Sequence, residues 1–111
     1  MTISSHVLDA SVGRPAAGVA VEVYRRETGG WTLIGSGSTG RDGRATDFGA
    51  APDLEPAEYR LVFDTGAYFR GRGVESFYGR IPIDFIAVDG AAHYHVPLLV
   101  SPFGYSTYRG S

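Results

Sequence analysis

At 111 residues, with 43% hydrophobic and 20% charged side chains, the chain has the composition of one globular domain, residues 1–111, large enough to bury its own core. A formal net charge of −2 with scattered basic residues gives no electrostatic basis for binding nucleic acid or an anionic membrane. The absence of cysteine excludes disulfides, thiol nucleophiles and thiolate metal sites, and no apolar run approaches the ~20 residues that span a bilayer.

Taken in chain order, "MTISSHVLDA" has neither the charged nor the apolar region of a signal peptide, so a cytoplasmic location is expected; it opens a strand over 3–10. "GVAVEVYRRE" predicts a strand over 19–27, with Val19, Val21 and Val23 on one face and Ala20, Glu22 and Tyr24 on the other. "ETGGW" is a tight-turn signal, Gly29 and Gly30 being free to take positive φ, and it leads into a strand over 31–39. "GRDGR" is a second turn that delivers Arg44 to a short strand over 44–46. After a strand over 58–64, "TGAYFRGRG" has too many glycines for a long helix but allows one or two turns, with Thr65 as N-cap. Strands over 80–88, 92–100 and 103–109 complete the chain. Sixteen glycines and six prolines punctuate these runs, the signature of an all-β domain of about eight short strands, either a two-sheet sandwich or a small barrel.

Side chains alternate across a strand, so its two faces can be written down from sequence. In 92–100, Tyr94, Val96, Leu98 and Val100 form the core-facing set, and His93, His95, Pro97 and Leu99 face the other way. In the first strand Ile3, Ser5 and Val7 oppose Ser4, His6 and Leu8; in the last, Ser106, Tyr108 and Gly110 oppose Tyr105, Thr107 and Arg109. A sheet face that sets leucine and proline beside histidine reads as the wall of a cleft or a subunit interface. Taken singly, a strand histidine is usually a satisfied boundary residue, an arginine after a turn is more often a solvated charge, and "YRGS" could be a frayed end. His93 and His95 on one face, with His6 as third ligand, form the alternative of a zinc site.

Four stretches taken together resemble the transthyretin-like family, and within it the 5-hydroxyisourate hydrolases: "SHVLDASVGRPAAGV" (5–19), "DGR" (42–44), "EYRLVFDTGAYF" (58–69) and "HYHVPLLVSPFGYSTYRGS" (93–111). The resemblance runs over essentially the whole chain, and the terminal "YRGS" is its most specific part, separating the hydrolases from the hormone carriers of the same fold. It departs at Gly40–Arg41 before the Asp-Gly-Arg turn and at Gly79, both in turns. The resemblance implies a sandwich of two four-stranded sheets with one short helix, pairing as a homotetramer (a dimer of dimers) with ligand sites in the clefts between dimers. The activity it implies is hydrolytic opening of 5-hydroxyisourate to 2-oxo-4-hydroxy-4-carboxy-5-ureidoimidazoline in urate degradation, with no metal and no cofactor.

Carried over residue by residue, the resemblance implies His6, Arg44, His95 and Ser111 as catalytic. Substrate binding is expected of His6, Arg44, Tyr108, Leu99 and Ser106; His93 is secondary. A histidine suits the activation of water because its pKa near 6.5 leaves it neutral yet able to take a proton at pH 7. Arg44 would hold carbonyl oxygens through its planar fork, and Ser111 would bring its hydroxyl and α-carboxylate to the site. Two rivals stand beside this: a carrier of the same fold that performs no chemistry, and a β-sandwich interaction module bridged by metal through His93 and His95.

Overall fold

In the computed structural model, which describes residues 1–49 and 53–111, nine strands and one short helix form a two-sheet sandwich. The elements are β1 (Thr2–Asp9), β2 (Arg14–Pro15), β3 (Ala20–Glu27), β4 (Gly30–Ser38), β5 (Arg44–Ala45), β6 (Ala57–Phe63), α1 (Thr65–Gly71), β7 (Ile81–Ala87), β8 (His93–Ser101) and β9 (Gly104–Thr107). One sheet runs β2-β1-β8-β9, with β5 also paired to β1; the other runs β4-β3-β6-β7. All pairings are antiparallel except that of β1 with β8.

The period of two sorts the side chains as the alternation requires. Val19, Val21 and Val23 are buried, and so are Tyr59, Leu61 and Phe63 of β6 and Tyr94, Leu98 and Val100 of β8, filling the space between the sheets. Gly29 and Gly30 take φ of +88° and +147° in the β3–β4 turn, as that hairpin needs. The one strand the sequence does not predict, two-residue β2, is too short to leave a periodic signal.

Two expectations need correction. The N-cap of α1 is Asp64, whose carboxylate accepts from the Ala67 N–H at 3.2 Å; Thr65 lies inside the first turn, buried, and its hydroxyl has no hydrogen-bond partner among the described residues. Asp64 wins the cap because its own N–H already closes the end of β6 on the Ala20 carbonyl, which leaves its side chain free to turn back over the helix start. The last strand also stops at Thr107 rather than 109. Continuing its register sets Tyr108 opposite Pro97, which has no N–H to donate, and the Pro97 carbonyl is taken instead by the Thr107 hydroxyl at 2.6 Å. The ladder resumes for one pair, where the Gly110 N–H donates to the His95 carbonyl at 2.8 Å.

The helix is fastened by a buried carboxylate. Asp9, 1% exposed at the end of β1, accepts from the Ser11 N–H and hydroxyl and from the Tyr68 hydroxyl at 2.9 Å. Burial and that acceptor hold the Tyr68 phenol above its ordinary pKa, so it stays protonated and donating at neutral pH. Tyr68→Phe leaves a buried carboxylate one donor short and is expected to cost about 1.5–3 kcal/mol, the range for hydrogen bonds to charged groups. Urea denaturation checks this; an unchanged midpoint would show that Ser11 alone satisfies Asp9. Among the described residues no helix is long and apolar enough to cross a membrane.

Candidate active site

The two outward sheet faces differ in kind. On β4-β3-β6-β7 the charges are paired among themselves: Arg60 meets both carboxylate oxygens of Asp84 at 2.6 and 3.0 Å and lies over the Trp31 ring, and Arg26 meets Glu58 at 3.7 Å. Such exposed pairs stabilise little and present a solvated surface. The outward face of the other sheet carries histidines bonded to neutral groups and an arginine held only loosely by a carboxylate.

His6 and Arg44 sit directly opposite one another where β5 pairs with β1. The His6 Nε2 lies 2.9 Å from the Asp42 carbonyl, which can only accept, so Nε2 carries a proton and Nδ1 is the ring nitrogen left for a ligand. The turn that arranges this depends on Gly43: its φ is +80°, and a Cβ there would stand 2.5 Å from the Val7 carbonyl and 3.2 Å from the His6 ring. The Asp42 carboxylate caps the turn by accepting the Arg44 N–H at 3.0 Å, while its contact with the Arg44 guanidinium is loose, 3.9 Å at Nε. That guanidinium remains exposed and open to a ligand.

His95 is half-buried on the same face, one strand over. Its Nδ1 lies 2.7 Å from the Ser4 hydroxyl, the residue opposite it in the parallel β1–β8 pair. On its other side Gly110 packs against the ring so closely that a Cβ would fall 2.4 Å from its Cδ2. Burial, then the charges of Arg44, His6 and His93, hold His95 below its ordinary pKa, so at neutral pH it is the uncharged, proton-accepting form. Gly110→Ala must swing this ring outward. The His95 imidazole is then expected to titrate at higher pH by NMR, because desolvation is the largest cause of the lowering; an unshifted titration would mean the ring need not move.

His93 stands two residues along, exposed, with both ring nitrogens engaged: Nδ1 by the Thr2 hydroxyl at 2.5 Å and Nε2 by the Ser4 hydroxyl at 2.7 Å. Tyr108 and Arg109 line a hollow of about 180 Å³ with His95 and Ile86 at the open end of the sandwich. Arg109 is drawn to the core side by its stack over Tyr94, 4.8 Å from the ring centroid. Ser111 follows Gly110 and is exposed. Leu99 and Ser106 face one another four residues further along β8, around a separate shallow hollow. The chain thus brings His6, Arg44, His95 and Gly110 to one face, and sets Leu99 and Ser106 apart from His95.

The model of the HIUase/Transthyretin family matches residues 3–110. The chain belongs to this family. It is 42% identical over 109 residues to a 5-hydroxyisourate hydrolase of Salmonella typhimurium, an alignment covering 98% of this chain and 80% of the relative. The structure of the Klebsiella pneumoniae 5-hydroxyisourate hydrolase superimposes with a TM-score of 0.87 at 41% identity, covering 100% of both chains. Sea bream transthyretin, solved in complex with thyroxine, superimposes with a TM-score of 0.90 at 34% identity, covering 99% of this chain and 95% of that one. The HIUase/transthyretin sandwich therefore does not separate hydrolase from carrier; the side chains on its outward face must.

Three groups on that face escaped sequence reasoning. Ser4 and the Asp42 carbonyl orient His95 and His6, and Gly110 gives His95 its bed. Alternation already put Ser4 on the face of His6, but its partner depends on the β1–β8 register, which no local pattern encodes.

Proposed function

We propose that this protein hydrolyses 5-hydroxyisourate, opening its six-membered ring at the acyl–nitrogen bond. The observation that carries the reading is His95: an imidazole held neutral, fixed by Ser4 on one side and Gly110 on the other, on the face that also carries the His6–Arg44 pair. A carrier cleft needs no such base. In the step, His95 takes a proton from water as the water oxygen bonds to the acyl carbon. Arg44 hydrogen-bonds the carbonyl oxygen as negative charge develops on it. The carbon–nitrogen bond then breaks and the leaving nitrogen takes a proton from His95, with His6 orienting the substrate through its free Nδ1. Tyr108 supplies a flat ring and a hydroxyl beside the ligand, and Ser111 a hydroxyl. Every atom comes from substrate and water, so the step requires no cofactor.

The same reading includes a dimer of dimers. Strands β7 and β9 are sheet edges, and large apolar side chains near them are bare, with Ile86 72%, Val88 77% and Phe103 67% exposed. Edge-to-edge pairing would continue both sheets, and a facing dimer would turn the histidine-bearing face into a cleft wall and bring Leu99 and Ser106 into it. Sedimentation at four chain masses is the expected result.

The deciding experiment generates 5-hydroxyisourate in place from urate with urate oxidase and follows its ultraviolet decay with and without the protein. Acceleration with first-order dependence on enzyme supports the hydrolase. Decay at the spontaneous rate sinks it and favours a carrier.

A further inference from the structure

Behind His95 lies a chain of hydrogen bonds that the ring opening does not by itself explain. Thr2 and Ser4 of β1 stand opposite His93 and His95 of β8, in register and on one face. Contacts run from the Thr2 hydroxyl to His93 Nδ1 (2.5 Å), from His93 Nε2 to the Ser4 hydroxyl (2.7 Å) and from Ser4 to His95 Nδ1 (2.7 Å). Ser4 is 4% exposed while His93 is open to solvent, so the chain leads from the inner ring to the surface.

A hydroxyl owns one proton, so Ser4, lying between two imidazoles, can donate to only one of them, and a chain that carries a proton has it accept from the other. If His95 donates from Nδ1, then Ser4 donates to His93 Nε2 and His93 donates from Nδ1 to Thr2. His95 Nε2 is then a bare lone pair. We propose that Ser4 and His93 are positioning residues that form a proton relay behind His95, converting it from base to neutral acid within one turnover. The proposal rests on the reading of His95 as the group that takes water's proton.

The steps balance. Water's O–H breaks and His95 Nε2–H forms; His95 Nδ1–H breaks and a Ser4 O–H forms; the original Ser4 O–H breaks and His93 Nε2–H forms. The positive charge now resides on His93, and His95 is neutral with a proton on Nε2, which it gives to the leaving nitrogen as its Nδ1 takes a proton back from Ser4 and Ser4 takes one from His93 Nε2. Reversal of the relay restores the starting state. The direction follows from where charge is tolerated. His95 is half-buried and faces His6 on β1 and Arg44 on β5, with Tyr108, Arg109 and the Ser111 residue beyond β9, whereas His93 faces Thr2 and Ser4 on β1 and water. A cation is held more readily at the exposed end.

The test measures kcat, KM and their pH dependence for parent, Ser4→Ala, Ser4→Thr and His93→Asn on substrate generated in place, together with rates against the deuterium fraction of the solvent. Partners that orient a functional imidazole commonly count for 10–100-fold, so Ser4→Ala should lower kcat about 10-fold or more with KM unchanged. Ser4→Thr should restore most of it. The parent rate should bow downward with deuterium fraction, as several protons move together, and straighten in Ser4→Ala. His93→Asn should lower kcat and move the acid limb upward, because it removes one repulsion on His95. Parental kcat and curvature in Ser4→Ala, or a Ser4→Thr as poor as Ser4→Ala, overturns the relay. Should Ser4→Ala show no cooperative thermal transition, His93→Asn decides alone, with parental kcat and pH limb overturning it. An inactive His95→Asn beside fully active Ser4 and His93 variants sinks the relay only; a fully active His95→Asn sinks the reading beneath it.

Discussion

Replacing His95 by asparagine is expected to lower kcat for 5-hydroxyisourate by at least ~100-fold, the low end for removing a positioned general base. Asparagine keeps a polar group within reach of Ser4 but has no nitrogen basic enough to accept a proton from water. The parent's pH profile should report the same group. Burial and the charges of Arg44, His6 and His93 favour the neutral ring, so the acid limb of kcat/KM is expected below the ordinary imidazole value of about 6.5, and full activity persists at slightly acid pH. The sign for stability is the same. A lowered folded-state pKa means the unfolded chain binds more protons, so the contribution of His95 is present above that ordinary value and is lost as pH falls through the folded one. Steady-state rates of parent and variant between pH 5 and 8 test both points. Near-parental activity in His95→Asn, or an acid limb above 6.5, would rule out the role.

Arg44→Ala should cost a comparable factor, ~100-fold or more in kcat/KM, the magnitude expected when one donor to a developing oxyanion is removed. The guanidinium is placed by backbone, through the Arg44–His6 pair and the Asp42 cap on its N–H, and its only carboxylate contact among the described residues is the loose one at 3.9 Å. Truncation should therefore leave the fold intact, with an unchanged thermal midpoint. Arg44→Lys separates charge from geometry: a point charge without the fork should recover only part of the loss. Arg44→Ala should also move the acid limb upward, since the Arg44 guanidinium is the charge that most disfavours protonation of His95. Full activity in Arg44→Lys would mean charge alone suffices, and full activity in Arg44→Ala would remove Arg44 from the chemistry.

Much of the sandwich was legible because strand alternation is local. The faces of residues 19–27 and 92–100 follow from neighbours two apart, and the buried residues of β3 and β8 fall where that parity puts them, except Pro97, which is buried although parity sets it on the outward face. Where the reading slipped, a long-range partner decided. Asp64 took the helix cap from Thr65 because its N–H was already tied to Ala20 on another strand. β9 ended early because Pro97, ten residues back, had no N–H for Tyr108. In β4 an extra residue, Ile34, interrupts the ladder between the pairs Val23–Gly35 and Tyr24–Leu33, and no period announces it.

For the candidate site the division is sharper. The sequence by itself determined which side chains share a strand face: His6 with Ser4, His95 with His93, and Gly110 with Tyr108. It also carried the motifs by which the family is recognised. Only the tertiary structure decided which of these meet. The parallel pairing of β1 with β8 sets Ser4 against His95, the pairing of β1 with β5 sets Arg44 against His6, and one isolated bridge lays Gly110 under the His95 ring. Alternation is fixed by the geometry of a single chain, whereas register is fixed by the burial of a whole core, and a shift of one residue would exchange every face at once.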